Sequence, residues 1–140
     1  MIVEKPVPAL TDDSRAFWFN CSRNKLVLQR CSDCRTTQYY PRNVCTSCGS
    51  SNIKWVDSAG KGTVYSYTVV HRAPSPAFSQ CVPYVLAIIQ LNEGPRMMSN
   101  IVNCDPGDVR IGMDVEVDFE MRAPDVGVPI FQLAKNAARF

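Results

Sequence analysis

The sequence predicts a mainly β protein in three parts: an N-terminal helical arm over residues 1–24, a small metal ribbon over 25–54, and a five-stranded barrel over 55–140. Three observations carry that prediction. The segment RCSDCRTTQYYPRNVCTSCG, Arg30 to Gly49, holds two C-x2-C pairs separated by ten residues, a spacing that wraps four thiolates around one ion. From residue 60 onward, β-rich runs alternate with glycine and proline turns. Ahead of the cysteines, TDDSRAFWFNCS reads as one short helix with carboxylates in its first turn.

Composition bounds the rest. At 140 residues, 46% hydrophobic and 20% charged, the chain has the size and make-up of one globular domain with a small annex. Its net charge of +2 is too near neutral to argue for a polyanion partner. The start, MIVEKPVPAL, lacks a basic segment followed by an apolar run of secretory length, and nowhere do about 18 apolar residues stand together. A soluble, cytoplasmic protein is expected. In a reducing compartment seven cysteines are a poor disulfide framework. Metal is therefore expected for the paired four, and burial for Cys21, Cys81 and Cys104.

Taken in order, residues 1–10 are proline-rich and extended, and Thr11 is placed to cap a helix over residues 12–22 with Asp12 and Asp13 against its dipole. That helix carries Phe17, Trp18 and Phe19 in a row. So much aromatic surface either lies across the chain's own domain or docks on a partner. KLVLQRC is a strand into the first cysteine knuckle, TQYYPRNVC the return strand, and SNIKWVDS the strand that leaves the second knuckle. Gly49 follows the second pair, where a knuckle needs positive φ; Arg35 holds the equivalent first place, at the expense of local strain.

Beyond a glycine turn, GKGTVYSYTVVHR, VPYVLAIIQL, RMMSNIVN, DVEVDFEMR and VPIFQLAKN read as five strands. CDPGDVRIGM is the one excursion that is not a hairpin, and it falls between the third and fourth strands, which matches an OB-fold barrel. In the fourth, Val115, Val117, Phe119 and Met121 are expected inside, with Glu116, Asp118 and Glu120 in water. The second breaks the alternation: Val85 through Ile89 is apolar on both faces, so its outer face needs a cover, either the N-terminal helix or another protein. SAGKGT is a turn and no phosphate loop, because the glycine five positions before the G-K-S/T unit is missing.

Chemistry is concentrated at Cys31, Cys34, Cys45 and Cys48. Four thiolates close the coordination of a divalent ion, so the site is structural and activates no water. Zinc is the expected ion; iron suits such knuckles too. His71 is the one histidine, and at the end of a strand it reads as a structural or binding residue before a general base. No serine elbow or carboxylate pair is recognisable. From Arg23 to Lys54 six basic residues face Asp33 alone, whereas from Cys104 onward seven acids face four bases. The positive lobe either receives a phosphorylated ligand or nucleic acid, or balances the thiolates.

The combination of cysteine pairs with VVHRAPSPAF, PYVLAIIQLNEGPRMMSNIVNCDP and IGMDVEVDFE resembles the zinc-ribbon/OB-fold family known as domain of unknown function 35, over nearly the whole chain. The resemblance implies a zinc-binding, non-catalytic accessory subunit of thiolase-type acyl-CoA enzymes, such as archaeal thiolase and HMG-CoA synthase, a phloroglucinol acyltransferase or a steroid side-chain aldolase. The nucleophilic cysteine would belong to the partner. In that frame His71 and Arg72, with the stiff APSP after them, are expected at the partner or CoA side. Phe17 and Trp18 are the expected partner anchors. The alternative is a single-strand nucleic-acid binder, for which Tyr84 and Arg96 on the middle strands make a poor stacking platform, while Tyr65 and Tyr67 read as core. A third reading, independent hydration or aldol chemistry on an acyl-CoA, requires turnover by the chain alone.

Overall fold

The computed structural model describes residues 5–134. Lys135 and Asn136 of the last expected strand, and the first four residues of the expected extended start, lie outside the described residues. The elements run α1 (Arg15–Ser22), β1 (Val27–Cys31), β2 (Thr37–Gln38), β3 (Ile53–Asp57), β4 (Lys61–Val70), β5 (Tyr84–Leu91), β6 (Arg96–Val102), β7 (Asp114–Ala123) and β8 (Val126–Leu133). No described helix is long and apolar enough to cross a membrane.

The first three strands form a ribbon sheet in the order β2-β1-β3, and the other five close a barrel in the order β4-β5-β6-β8-β7. Only the β6–β8 pairing is parallel. That order, with the excursion between β6 and β7 reduced to a 3-10 turn at Pro106–Asp108, is the OB-fold topology. β5 alternates buried and half-buried along its whole length. Val85, Ala87, Ile89 and Leu91 enter the core, while Tyr84, Leu86, Ile88 and Gln90 face out.

Several expectations are corrected. The helix begins at Arg15, with Ser14 at its N-cap, three residues later than the capping pattern suggested. The Thr11 carbonyl accepts from the amides of Ser14 and Arg15 at 3.1 and 2.9 Å, so residues 12–14 form a turn that leads into the helix. The return strand shrinks to two residues. Tyr39 to Thr46 is irregular and is pinned by two buried glutamines: Gln29 donates to the Arg42 carbonyl at 3.0 Å and accepts from its amide at 2.8 Å, and Gln38 accepts from the Thr46 amide at 3.0 Å. Met121 lies outside, although it keeps the register of Val115, Val117 and Phe119: it stands opposite Gly127, the last pair before the β7–β8 register shifts. Tyr65 also leaves the core: a register shift between Val64 and Ser66 turns it outward, and only Tyr67 stays packed against the interior.

Ribbon and barrel share one core, and α1 is the seam between them. Gly127 on β8 makes that seam close, since a Cβ there would stand 2.6 Å from the Cys21 carbonyl carbon and 2.7 Å from the Ser22 nitrogen. Phe17 sits edge-on to Trp18 at 4.9 Å and to Tyr39 of the ribbon at 5.7 Å. A second tie holds the leading segment. Arg122 donates to Glu120 at 2.8 Å and to the Pro6 carbonyl at 2.8 Å, and Lys5 bonds Glu120 at 3.1 Å.

Candidate metal centre

The two cysteine knuckles are built alike. The Arg35 amide donates to the Cys31 carbonyl and the Gly49 amide to the Cys45 carbonyl, both at 2.9 Å. The Cys31 amide donates to Thr36 at 3.0 Å and the Cys45 amide to Ser50 at 2.8 Å. Each loop must pass through left-handed backbone to close: Gly49 has φ +80°, and Arg35 adopts +64° despite its side chain.

These knuckles bring Cys31, Cys34, Cys45 and Cys48 together, with every sulfur within 4.8 Å of the others. Cys31 and Cys48 are 3.6 Å apart and Cys34 and Cys45 3.5 Å. Metal–sulfur bonds of ~2.3 Å imply a tetrahedron edge of roughly 3.8 Å, while a disulfide needs ~2.05 Å. The donor set therefore fits a tetrahedral thiolate ion and no disulfide. Electrostatics agree. The Thr36 hydroxyl and main chain hold the Cys34 thiol down at about 6, and the Cys34 amide lowers Cys31. Although the Ser50 backbone favours its thiolate, Cys48 is pushed up to about 12 by the neighbouring sulfurs. Sulfurs so close can all be charged only with a cation among them.

The remaining cysteines differ from one another. Cys21 is buried, which pushes its thiol up to about 12; Cys81 and Cys104 are half-exposed, contrary to the burial expected for all three. Burial also raises Cys104, with Asp108 and Asp105 adding to the effect.

Of the other expected site residues, His71 and Arg72 are exposed on the loop that leaves β4. Phe17 and Trp18, expected as partner anchors, are buried within the chain itself. Phe17 has no accessible surface and Trp18 retains 8%, because a helix wedged between ribbon and barrel has two internal surfaces on which to place its rings. The exposed member of the row is Phe19, 42% accessible and stacked by Arg23 at 5.1 Å.

Charge in the ribbon is also redistributed. Arg23 pairs with Asp125 at 3.9 Å and Lys25 with Asp57 at 3.7 Å. Arg30, Arg35 and Lys54 line a 260 Å³ cavity beside Cys31, with Arg30 and Lys54 directly opposite across β1 and β3. That pairing of like charges, and the glutamine staples, were missed at the level of sequence; the i-to-partner register that sets them is not written locally.

Comparison with known proteins follows this architecture. Residues 21–54 match the family model of the ChsH2 rubredoxin-like zinc ribbon domain, and residues 55–120 that of the ChsH2 C-terminal OB-fold domain. A probable enoyl-CoA hydratase alpha subunit of Thermomonospora curvata is 41% identical over 93% of this chain. The chain spans 40% of that relative's length. A DUF35 domain-containing scaffold protein of Methanocaldococcus jannaschii is 44% identical over 67% of each protein. Among solved structures, a chain of the Ltp2-ChsH2(DUF35) aldolase superposes with TM-score 0.77 at 41% identity, covering 90% of this chain and 98% of that one.

Proposed function

Because the chain belongs to the DUF35 family of zinc-ribbon/OB-fold proteins, we propose that it is a non-catalytic subunit of a cytoplasmic acyl-CoA enzyme complex. In this reading it scaffolds a thiolase-fold catalytic subunit that works as a thiolase, acyltransferase or aldolase. The observation that carries the reading is the likeness, over 90% of this chain and 98% of the other, to a chain solved as part of an aldolase. The closed sulfur cluster supports it: the densest chemical site among the described residues leaves an ion no open position.

Within the complex each part has a physical task. Cys31, Cys34, Cys45 and Cys48 would hold one structural zinc, whose chemistry is to cross-link two loops that carry too little apolar surface to fold alone. Gln29 and Gln38 fix the chain between the knuckles. His71 and Arg72, exposed beside Pro74 and Pro76, would meet the partner or the phosphates of a shared CoA, for which a guanidinium offers forked donors.

Purification of the native complex tests the assignment. A thiolase-fold subunit is expected to co-purify, with one zinc per copy of this chain, and acyl-CoA turnover is expected from the complex and not from this chain alone. Turnover by this chain alone would refute the non-catalytic role. Arg72→Ala is expected to raise the KM for acyl-CoA; an unchanged KM removes Arg72 from the CoA side.

A further inference from the structure

The barrel's charges are segregated by strand. β7 carries Asp114, Glu116, Asp118 and Glu120, whereas Thr63–Val70 of β4, all of β5 and all of β6 contain no Asp or Glu, and their one charged residue is Arg96. The outer faces of these three strands form a continuous surface in register: Ser66, Ile88 and Met98 make one row, Thr68, Leu86 and Asn100 the next. Met98 is 60% accessible and Tyr65 48%. Tyr65, freed by the bulge, lies under the Arg96 guanidinium at 3.8 Å, and Arg96 donates to Gln90 at 2.8 Å. The helix does not cover this surface; α1 packs on β8, β7 and β1.

We propose that the outer face of β4-β5-β6 is where the catalytic subunit docks, and that the occupant presents an apolar surface with a carboxylate opposite Arg96. This rests on the subunit role argued above and assigns its location. Residue types select the class of occupant: Tyr, Met and Arg over aliphatic side chains, without carboxylates, is the composition of an interface core. Charge then selects among occupants. Among the described residues no carboxylate pairs with Arg96, and Glu93, close in sequence, is committed to the Ala59 amide and the Ser58 hydroxyl. A second copy meeting this face by its own face would bury Arg96 against a surface without a single acid. A nucleic acid would find one cation for its phosphates, too few for a backbone track. A different protein bearing a carboxylate satisfies both conditions.

Area sets the extent of the contact. Three strands seven residues long, at ~4.8 Å spacing and ~3.3 Å rise, offer roughly 300 Å² in projection, against about 800 Å² a side for a stable interface. The occupant must therefore run on past the strands. The natural continuation is the Tyr84 end, where Phe78 of the 71–83 loop packs against Tyr84 at 6.1 Å, which brings the contact toward His71 and Arg72.

The test uses the full chain and the acyl-CoA enzyme subunit that co-purifies with it, identified by mass spectrometry and purified separately. Met98→Asp and Arg96→Ala are each expected to weaken binding about tenfold or more, while Met121→Asp, an exposed methionine on the acidic strand, leaves it within about twofold; all three should keep wild-type zinc content and melting. Wild-type affinity in Met98→Asp overturns this location and leaves the subunit role standing. Failure of any acyl-CoA enzyme subunit to co-purify overturns both. Light scattering that shows a wild-type dimer split by Met98→Asp assigns the face to a second copy, and tight oligothymidylate binding abolished by Arg96→Ala assigns it to nucleic acid; either refutes the proposal.

Discussion

Phe17→Ala separates a structural aromatic row from a docking arm. Phe17 is fully buried, with its ring edge-on to Trp18 at 4.9 Å and Tyr39 at 5.7 Å. Truncating a buried phenylalanine costs about 3–5 kcal/mol through lost transfer energy and the cavity left behind, and the edge contacts account for about 1 kcal/mol of the upper part. That is a large fraction of the ~5–15 kcal/mol by which domains are stable. For a chain of this length it corresponds to a fall in Tm of roughly 10–20 °C. The seam joins ribbon to barrel, so the transition should also broaden as the two parts lose their coupling. Phe19→Ala is the internal control: the ring is 42% accessible and holds one cation–π contact, so a loss below about 1 kcal/mol is expected. Thermal unfolding of the zinc-loaded chain, followed by circular dichroism and calorimetry, reads both. A Phe17→Ala chain melting within about 3 °C of wild type would refute the seam, and if it also lost its partner, the row would be an anchor after all.

Other perturbations act on independent parts of the chain. Chelation of the metal, or Cys34→Ser, removes binding energy on the order of 10 kcal/mol from a sheet whose edge strand β2 has two residues; near-UV signals of Trp18 and Tyr39 should collapse, and their survival would show that the ribbon holds itself. Arg35→Gly relieves left-handed backbone at φ +64° and should stabilise by up to about 1 kcal/mol, while Gly49→Ala should cost about as much despite open space at that site; denaturant midpoints with zinc bound check the pair. Gly127→Ala places a methyl against helix backbone at 2.6 Å and should cost about 1–3 kcal/mol, read by the same melts. At Glu120, burial raises the carboxyl pKa, but the bonds from Arg122 and Lys5 outweigh it and leave it lowered. Its contribution is therefore present above the unfolded value and lost as pH falls through the folded one; with the pair partly in solvent, Glu120→Gln should cost under about 1 kcal/mol at pH 7, and the difference should narrow as pH falls below the ordinary glutamate value of about 4.3 and close below the lowered folded one. A pH-independent difference would exclude the ionised carboxylate as its source.

What the sequence made legible was local. Two C-x2-C pairs specify their own loops, so the sulfur cluster, and even the positive φ at Arg35, follow from spacing alone. Strand periodicity placed all five barrel strands, because each is long and its turns contain glycine or proline. What stayed hidden depends on pairing. Tyr65 reads as core by alternation, and only the shift against β5 turns it out. Met121 keeps the alternation but stands at the end of its ladder opposite Gly127, where the period has no core left to report. Phe17 and Trp18 look too many for one side of a short helix, and they are; the helix has a second internal neighbour in the ribbon, which a one-dimensional reading does not supply. Buried Gln29 and Gln38 stand opposite each other across β1 and β2, and two amides whose partners are backbone atoms of an irregular segment leave no pattern to read.

The exposed bases of the ribbon and Arg96 of the barrel look alike in a count of charges, but they answer to different fields. Arg30, Arg35 and Lys54 surround Cys31, and a divalent ion with four thiolates carries a net charge of −2. Their crowding, including the like-charge pair across β1 and β3, which unscreened would cost up to about 1 kcal/mol, is offset by that internal anion. Arg96 has no such neighbour: its strand and the two beside it are free of acids, and its contacts are a tyrosine ring and an amide oxygen. Arg96 is exposed, beside Gln90 and over the Tyr65 ring, and a guanidinium so placed gains most when a carboxylate closes over it in a water-excluded contact. The ribbon's charge would thus be balanced within the chain once metal is bound, whereas Arg96 has no carboxylate partner among the described residues and is left to solvent or to the proposed partner. Raising ionic strength should then weaken partner binding with the modest slope of a single buried pair, and a steep slope would return the ribbon to the interface.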